Sequence, residues 1–192
     1  MQGVGADSRN TRELLDEIAR LKADVARLEE KCGELDRLAH LDPLVPIANR
    51  RGMLRELETM IARHERFGSP GAVLFIDLDG LKMLNDCFGH QGGDAALVHV
   101  ARHLQRGVRT TDCVARLGGD EFCILLDHAD EDRAIETAGR LANLVAGDDF
   151  LFEGHPVPLS VAIGLTVIER GDTPSAVLAR ADHAMYRVKV AA

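Results

Sequence analysis

Arg116-Leu117-Gly118-Gly119-Asp120-Glu121-Phe122 stands between two apolar runs, Cys113-Val114-Ala115 before it and Phe122-Cys123-Ile124-Leu125-Leu126 after it. Two strand-forming runs joined through a glycine pair predict a β-hairpin. Its tip carries adjacent carboxylates directly after the glycines, an uncommon ending for a hairpin. Glycine tolerates positive φ and has no side chain, so a bulky anionic ligand can approach the backbone there. Asp120 and Glu121 then offer hard oxygen ligands beside that space, which suits Mg²⁺ or Mn²⁺ carrying a phosphate. The competing reading of the bare tip is a tight turn with acidic solvation, and the surrounding residues decide between the two.

Upstream, Ala72-Val73-Leu74-Phe75-Ile76 is a continuous apolar run, the pattern of a central strand covered on both faces, and it ends in Asp77-Leu78-Asp79. An acid at the mouth of a buried strand is costly unless something positive meets it. Lys82 would do so as a structural partner; a metal ion is the sharper alternative. Gly80 to Asp94 is dense in glycine, amides and acids, the composition of a binding segment between strand and helix. Asp94 also reads as the N-cap of a helix through Leu97, Val100, Ala101 and Leu104. His99 and His103 stand i, i+4 on that helix. Without a Glu partner motif they read as a solvated face in preference to a zinc site.

Further out, Pro43 and Pro46 deny a continuous helix and predict an extended turn. Asn49 caps a helix whose apolar stripe is Met53, Leu54, Leu57, Met60 and Ile61, closed by Gly68-Ser69-Pro70-Gly71. Asp130 begins another, carrying Ala134, Ile135, Ala138, Leu141, Ala142 and Val145. Residues 158–167 read as a core strand, and Thr173-Pro174-Ser175 opens a last helix bearing Leu178, Ala181, Asp182, Met185, Tyr186 and Lys189.

At the other end, residues 1–10 are polar and expected to be disordered. From residue 11 to 40, Leu14, Leu21, Leu28 and Leu35 occupy the d positions of a heptad, with Ile18, Val25, Cys32 and Ala39 at a. β-branched residues at a with Leu at d favour a parallel two-stranded coiled coil, so a homodimer is expected. Leu38 and Leu41 fall out of phase at its exit, a pattern compatible with two registers.

Length and composition agree with this division. The chain has 192 residues, enough for one core plus an appendage. A net charge of −8 weighs against a sequence-independent nucleic-acid or anionic-membrane surface. Cys32, Cys87, Cys113 and Cys123 form no Cys-x-x-Cys pair, and neither a signal peptide nor a membrane span is recognisable, so a reducing cytoplasm is expected. P-loop, Rossmann and Ser/His/Asp patterns are absent from the sequence.

Residues 41–189 resemble the GGDEF domains, the diguanylate cyclases of bacteria. Gly118-Gly119-Asp120-Glu121-Phe122 is the signature in full. Asp77-x-Asp79, Lys82, Asn85-Asp86, Gly89-His90, Gly93-Asp94, Arg116-Leu117 and Ala181-Asp182-x-Ala-x-Tyr186-x-x-Lys189 follow the family's order and spacing. The resemblance implies a palm-like α/β (α+β) nucleotidyl cyclase domain over residues 41–192, with a mainly antiparallel central sheet flanked by helices. It would condense two GTP into cyclic di-GMP and pyrophosphate.

The same resemblance implies Asp77, Asp120 and the Leu78 carbonyl as ligands of two Mg²⁺ or Mn²⁺ ions, and Asp120 as the proton acceptor. Glu121 would be a further ligand or orienting group. Lys82 and Lys189 would contact the triphosphate and Gly118 and Gly119 would let it approach. Asn85 and Asp94 would read guanine, whose adjacent N1–H and N2–H donors match a carboxylate. Arg109 and Asp112 match the inhibitory Arg-x-x-Asp site for the product, with Arg140 as a helper; an arginine fork on guanine O6 and N7 is chemically sensible. Catalysis would need two domains facing each other, a role for the coiled coil, with input from an upstream sensor module or partner. Val45 and Pro46 stand where the family usually has Thr and Gly, and Gly80 replaces a bulkier residue. The alternative is a weak or silent domain that binds GTP or cyclic di-GMP as a signalling module; intact Asp77, Asp120 and Glu121 weigh against it.

Overall fold

The computed structural model describes residues 4–191, with side chains from Leu15 onward apart from those of Asp16 and Arg37. The chain divides into a helical unit up to Ala39 and a globular unit from His40.

The helical unit is α1 (Val4–His40), a continuous 37-residue helix. It starts earlier than expected, so residues 4–10 are helical where disorder was expected; Met1-Gln2-Gly3 lie outside the described residues. No proline interrupts the stretch, and extending an existing helix adds one hydrogen bond per residue ordered. Ile18, Leu21, Val25, Leu28 and Leu35 are all exposed along it, as are Leu38 and Cys32. The Leu14 side chain lies outside the described residues.

In the globular unit the order is β1 (Ala48–Asn49), α2 (Arg50–Phe67), β2 (Gly71–Leu78), α3 (Leu81–Arg106), β3 (Cys113–Gly118) and β4 (Glu121–Asp127). There follow α4 (Glu131–Ala146), β5 (Leu151–Phe152), β6 (His155–Pro156), β7 (Val161–Val167) and α5 (Pro174–Ala191). Five strands form one sheet in the order β1-β3-β4-β2-β7, antiparallel except for the β1–β3 pair. β2 is central, and every one of its residues is buried, as its unbroken apolar run required.

Side-chain alternation along β2 sorts the helices. Ala72, Leu74, Ile76 and Leu78 share a core with Leu97, Val100 and Leu104 of α3 and Leu141 and Val145 of α4. Val73 and Phe75 share the opposite core with Met53, Leu57 and Met60 of α2 and Val177, Ala181 and Met185 of α5. Asp77 has the parity of Val73 and Phe75, so its carboxylate emerges on the α5 side. That side is unusually close: a Cβ on Gly164 of β7 would stand 1.9 Å from the Met185 amide nitrogen of α5.

Local signals set the element ends. Asn49 accepts from the Gly52 amide at 2.9 Å and Asp130 from the Arg133 amide at 3.0 Å, both as N-caps. Thr173 Oγ1 accepts from the Ala176 amide at 3.3 Å where α5 begins. Despite Val45 and Pro46, the turn after α1 is hydrogen-bonded: Asp42 Oδ1 accepts from the amides of Leu44 (2.9 Å) and Val45 (3.0 Å). The β5–β6 hairpin went unread in the sequence; its signal is the two-residue loop Glu153-Gly154, both at positive φ (51° and 81°). Among the described residues no helix is long and apolar enough to cross a membrane.

Candidate active site

The hairpin forms where its sequence placed it, and its tip is locked to the end of β2. Asp77 stands opposite Glu121 in the β2–β4 register, and the Leu78 amide donates to the Asp120 carbonyl at 3.0 Å. Residues directly opposite on antiparallel strands project to the same face, so these contacts gather Asp77, Asp120 and Glu121 at one end of the sheet. Gly118 (φ 146°) and Gly119 (φ 55°) make the elbow, and nothing lies within 4 Å of where a Cβ would stand on either. The open room beside the acids is therefore real at both glycines.

Arg116 braces this elbow, a role its sequence position had not suggested. Its Nε and Nη2 donate to the Gly119 carbonyl at 3.1 and 2.8 Å, and its Nη1 reaches Asp42 Oδ1 at 3.4 Å. On the other flank, Ser160 Oγ donates to Asp79 Oδ2 at 2.7 Å and the Asp79 amide donates to the Ser160 carbonyl at 3.0 Å. These bonds fix the mouth of β2 between β4 and β7.

The carboxylates disfavour one another's ionisation. Asp77 is only 8% exposed. Burial pushes its carboxyl above the ordinary 3.8, the hydrogen bond from Lys189 opposes this, and the charges of Asp120 and Asp79 add to the rise. Burial likewise raises Glu121 above 4.5, helped by Asp120, Asp182 and Asp77. Lys189 Nζ lies 2.5 Å from Asp77 Oδ1, and that hydrogen bond raises the lysine above 10.5. A donor set of partly desolvated, mutually repelling carboxylates fits a hard divalent cation.

The segment carrying Lys82, Asn85 and Asp94 differs from its expectation. It is helical from Leu81, broken only at Gly89 (φ 71°, ψ 176°), and Asp94 lies inside the second helical segment, exposed, where a cap was expected. Two absent side chains make this possible. A Cβ on Gly92 would meet the Phe88 Cβ at 2.6 Å, and one on Gly93 would meet Asn85 Oδ1 at 2.1 Å. Asn85 is thereby held against the residue preceding Asp94. Gly80 supplies the left-handed start of α3 at φ 72°, which accounts for glycine in place of a bulkier residue. Lys82 is exposed and stands i, i+3 from Asn85 on the same helical face.

Arg109, Asp112 and Arg140 come together around a separate cavity of about 330 Å³, which Arg106 and Arg133 also line. Asp112 is already engaged there: Oδ2 accepts from the Arg109 amide at 2.8 Å and Oδ1 from the Asp127 amide at 3.1 Å. Arg140 Nη1 donates to the Gly107 carbonyl at 2.5 Å.

A family profile described as "Diguanylate cyclase, GGDEF domain" matches residues 39–192. The chain is 38% identical over 178 residues to diguanylate cyclase TpbB of Pseudomonas aeruginosa, covering 92% of this chain and 40% of that protein. It is 32% identical over 176 residues to diguanylate cyclase DgcP of the same organism, covering 92% of this chain and 26% of that protein. It thus spans about a quarter to two fifths of the length of these curated relatives. Among solved structures, the coiled coil and GGDEF domain of DgcB from Caulobacter crescentus, in complex with c-di-GMP, superposes with a TM-score of 0.86 at 27% identity. That match covers 93% of this chain and 95% of the solved coiled-coil and GGDEF chain. With its fold, its hairpin signature and these relatives in agreement, the chain belongs to the GGDEF family of diguanylate cyclases.

Proposed function

We propose that this chain condenses two GTP into one cyclic di-GMP, each 3′-oxygen attacking the α-phosphorus of the other nucleotide and releasing one pyrophosphate. The observation that carries the reading is the pairing of Asp77 with Glu121 while the Leu78 amide holds Asp120, which sets three acids beside two open glycines. Asp77, Asp120 and the Leu78 carbonyl would hold two Mg²⁺ or Mn²⁺ ions. When bound, these supply charge neutralisation at the phosphates and a lowered pKa for the attacking hydroxyl.

The chain's own residues do the rest. Asp120 accepts the 3′-hydroxyl proton, and Glu121 orients it or adds a ligand. Lys82 and Lys189 bring fixed positive charge to the triphosphate, where negative charge accumulates. Gly118 and Gly119 admit the phosphates to the backbone. Asn85 and Asp94 take the guanine edge, whose adjacent N1–H and N2–H donors adenine lacks, so that GTP is preferred over ATP. Cyclic di-GMP returns to the cavity around Arg109, Asp112 and Arg140 as inhibitor. One domain holds one GTP, so turnover needs a second copy, which the exposed stripe Ile18, Leu21, Val25, Leu28 and Leu35 of α1 would recruit.

A second reading, a domain that binds nucleotide without turning it over, draws on the Lys189–Asp77 ion pair, which occupies a carboxylate the reaction needs. Incubating the purified chain with GTP and Mg²⁺ separates the two. The expected result is cyclic di-GMP with two pyrophosphates per product and a rate rising as the square of protein concentration. No product at any protein concentration overturns the cyclase reading and leaves the binding module.

A further inference from the structure

His99 and His103 do not form the solvated face their spacing suggested. Their rings stack 4.4 Å apart, Phe150 packs on His99 at 5.0 Å, and His103 is only 9% exposed. Asp148, from the loop after α4, points its carboxylate between them: Oδ2 lies 3.3 Å from His99 Nε2 and 3.0 Å from His103 Nε2. The three ligand atoms lie within 4.8 Å of one another.

Hydrogen bonding leaves one buried atom of this cluster, His99 Nε2, without a partner. His103 Nδ1 is 2.9 Å from the His99 carbonyl, so both ring nitrogens face acceptors. A doubly protonated ring donates to both, whereas a neutral imidazole has one proton and turns a lone pair on the other acceptor. His99 Nε2 is buried and has no hydrogen-bond partner, although Asp148 Oδ2 lies 3.3 Å away. A cation between the three atoms gives His99 Nε2 a partner and lets a neutral His103 keep both of its contacts. His103 then donates Nδ1–H to the carbonyl and gives its Nε2 lone pair to the metal, the arrangement typical of ligating histidines.

We propose that His99, His103 and Asp148 form a transition-metal site of the Zn²⁺ class, with three protein ligands and a fourth position for water, distinct from the acid cluster at Asp77 and Asp120. Tetrahedral zinc with bonds of about 2.0–2.1 Å has ligand–ligand edges of about 3.3 Å. The two edges to Asp148, 3.0 and 3.3 Å, match this. Two imidazoles with one carboxylate favour Zn²⁺ over Mg²⁺, whose preference is for oxygen. Asp148, with half its side chain exposed (51%), provides the entry path. Arg102 and Arg106 add positive potential, so affinity rests on the ligand set and not on long-range attraction. Bound metal would tie the second segment of α3 to the loop between α4 and β5.

The test is calorimetric titration of the tag-free full chain with Zn²⁺ in excess Mg²⁺, which keeps the acid cluster occupied. One equivalent per chain is expected, with a Zn²⁺-dependent rise in Tm. Asp148→Asn, on an exposed loop, should keep the fold by circular dichroism yet weaken Zn²⁺ binding by at least about tenfold and abolish the Tm shift. His99→Gln should do the same, while Asp120→Asn leaves Zn²⁺ binding unchanged. Absence of saturable Zn²⁺ uptake overturns the site. So does uptake that survives Asp148→Asn and His99→Gln, which would assign the metal to exposed cysteines or the acid cluster. Neither readout requires turnover, so this inference stands or falls independently of cyclase activity.

Discussion

Lys189 Nζ and Asp77 Oδ1 are in direct contact at 2.5 Å, joining the last turn of α5 to the buried end of β2. The ammonium holds the place beside Asp77 that a divalent ion would take, and metal entry would free it for phosphate. Lys189→Met should therefore split two affinities. Mn²⁺ binding without nucleotide tightens because a competing cation is gone, while KM for GTP rises by about tenfold or more for loss of a charged hydrogen bond. Calorimetry with Mn²⁺ and steady-state kinetics check the two arms. Weakening of both would make Lys189 a structural strut only.

The raised carboxyls give a signed pH dependence. Asp77 and Glu121 hold protons more tightly folded than unfolded, so their contribution to stability is full below the ordinary values of 3.8 and 4.5 and is lost as pH rises through their elevated folded values. Asp172 runs the other way: the hydrogen bonds from Arg180, at 2.7 and 2.8 Å, lower it. Its contribution is present above 3.8 and lost as pH falls through its depressed folded value. Denaturant melts without metal should show stability rising as acidification passes through the raised values of Asp77 and Glu121, then falling in stronger acid as Asp172 is protonated. Asp77→Asn should reduce that rise and be more stable than wild type at neutral pH, while lowering turnover by about 10²-fold or more.

Gly93→Ala tests whether Asn85 is placed by a missing methyl. The added Cβ would stand 2.1 Å from Asn85 Oδ1 and 2.9 Å from its Cγ, the far end of a side chain that can swing away. A helical Gly→Ala gains up to about 1 kcal/mol in propensity, so Tm should barely change. KM for GTP should rise and preference over ATP fall, by about tenfold each. Unchanged nucleotide preference would separate Asn85 from guanine reading.

Gly164→Ala should behave in the opposite way, because its neighbours are backbone. The Cβ would meet the Met185 amide nitrogen at 1.9 Å and the Ala181 carbonyl at 2.5 Å. β7 and α5 must then move apart, at a cost of about 1–3 kcal/mol or more. Lys189 lies one turn beyond Met185, so the same shift should draw it from Asp77. Urea denaturation gives the first quantity, and the Mn²⁺ affinity described for Lys189→Met gives the second.

At the arginine-lined cavity, Arg109 and Asp112 should separate inhibition from stability. Arg109 uses its backbone amide for the local bond, so Arg109→Ala should relieve inhibition by cyclic di-GMP with a stability change within about 0.5 kcal/mol. Asp112 accepts two backbone amides, and Asp112→Ala should cost about 1–3 kcal/mol besides relieving inhibition. Progress curves with added product, together with melts, distinguish the two variants.

The hairpin, the buried central strand and most helix ends were legible because their causes are local. Gly118 and Gly119 dictate the elbow, an unbroken apolar run demands two covered faces, and Asn49 and Asp130 cap their own helices. The helix over residues 81–94 was misread because its glycines look like loop residues until the packing of Phe88 and Asn85 against them is known. The β5–β6 hairpin was missed because two-residue strands carry no periodicity. His99 and His103 looked solvated because Phe150 and Asp148, which enclose them, lie more than 40 positions further along the chain.

By itself the order of residues determined which chemical groups exist, where the chain turns, and which family it belongs to, since backbone preference and burial periodicity act over a few neighbouring positions. Only the folded arrangement decided that Lys189 lands on Asp77, that Arg116 grips the elbow it precedes, and that two histidines share a carboxylate from another element. Those pairings depend on strand register and helix packing between distant segments, which are set by the joint filling of two cores and by no single stretch of chain.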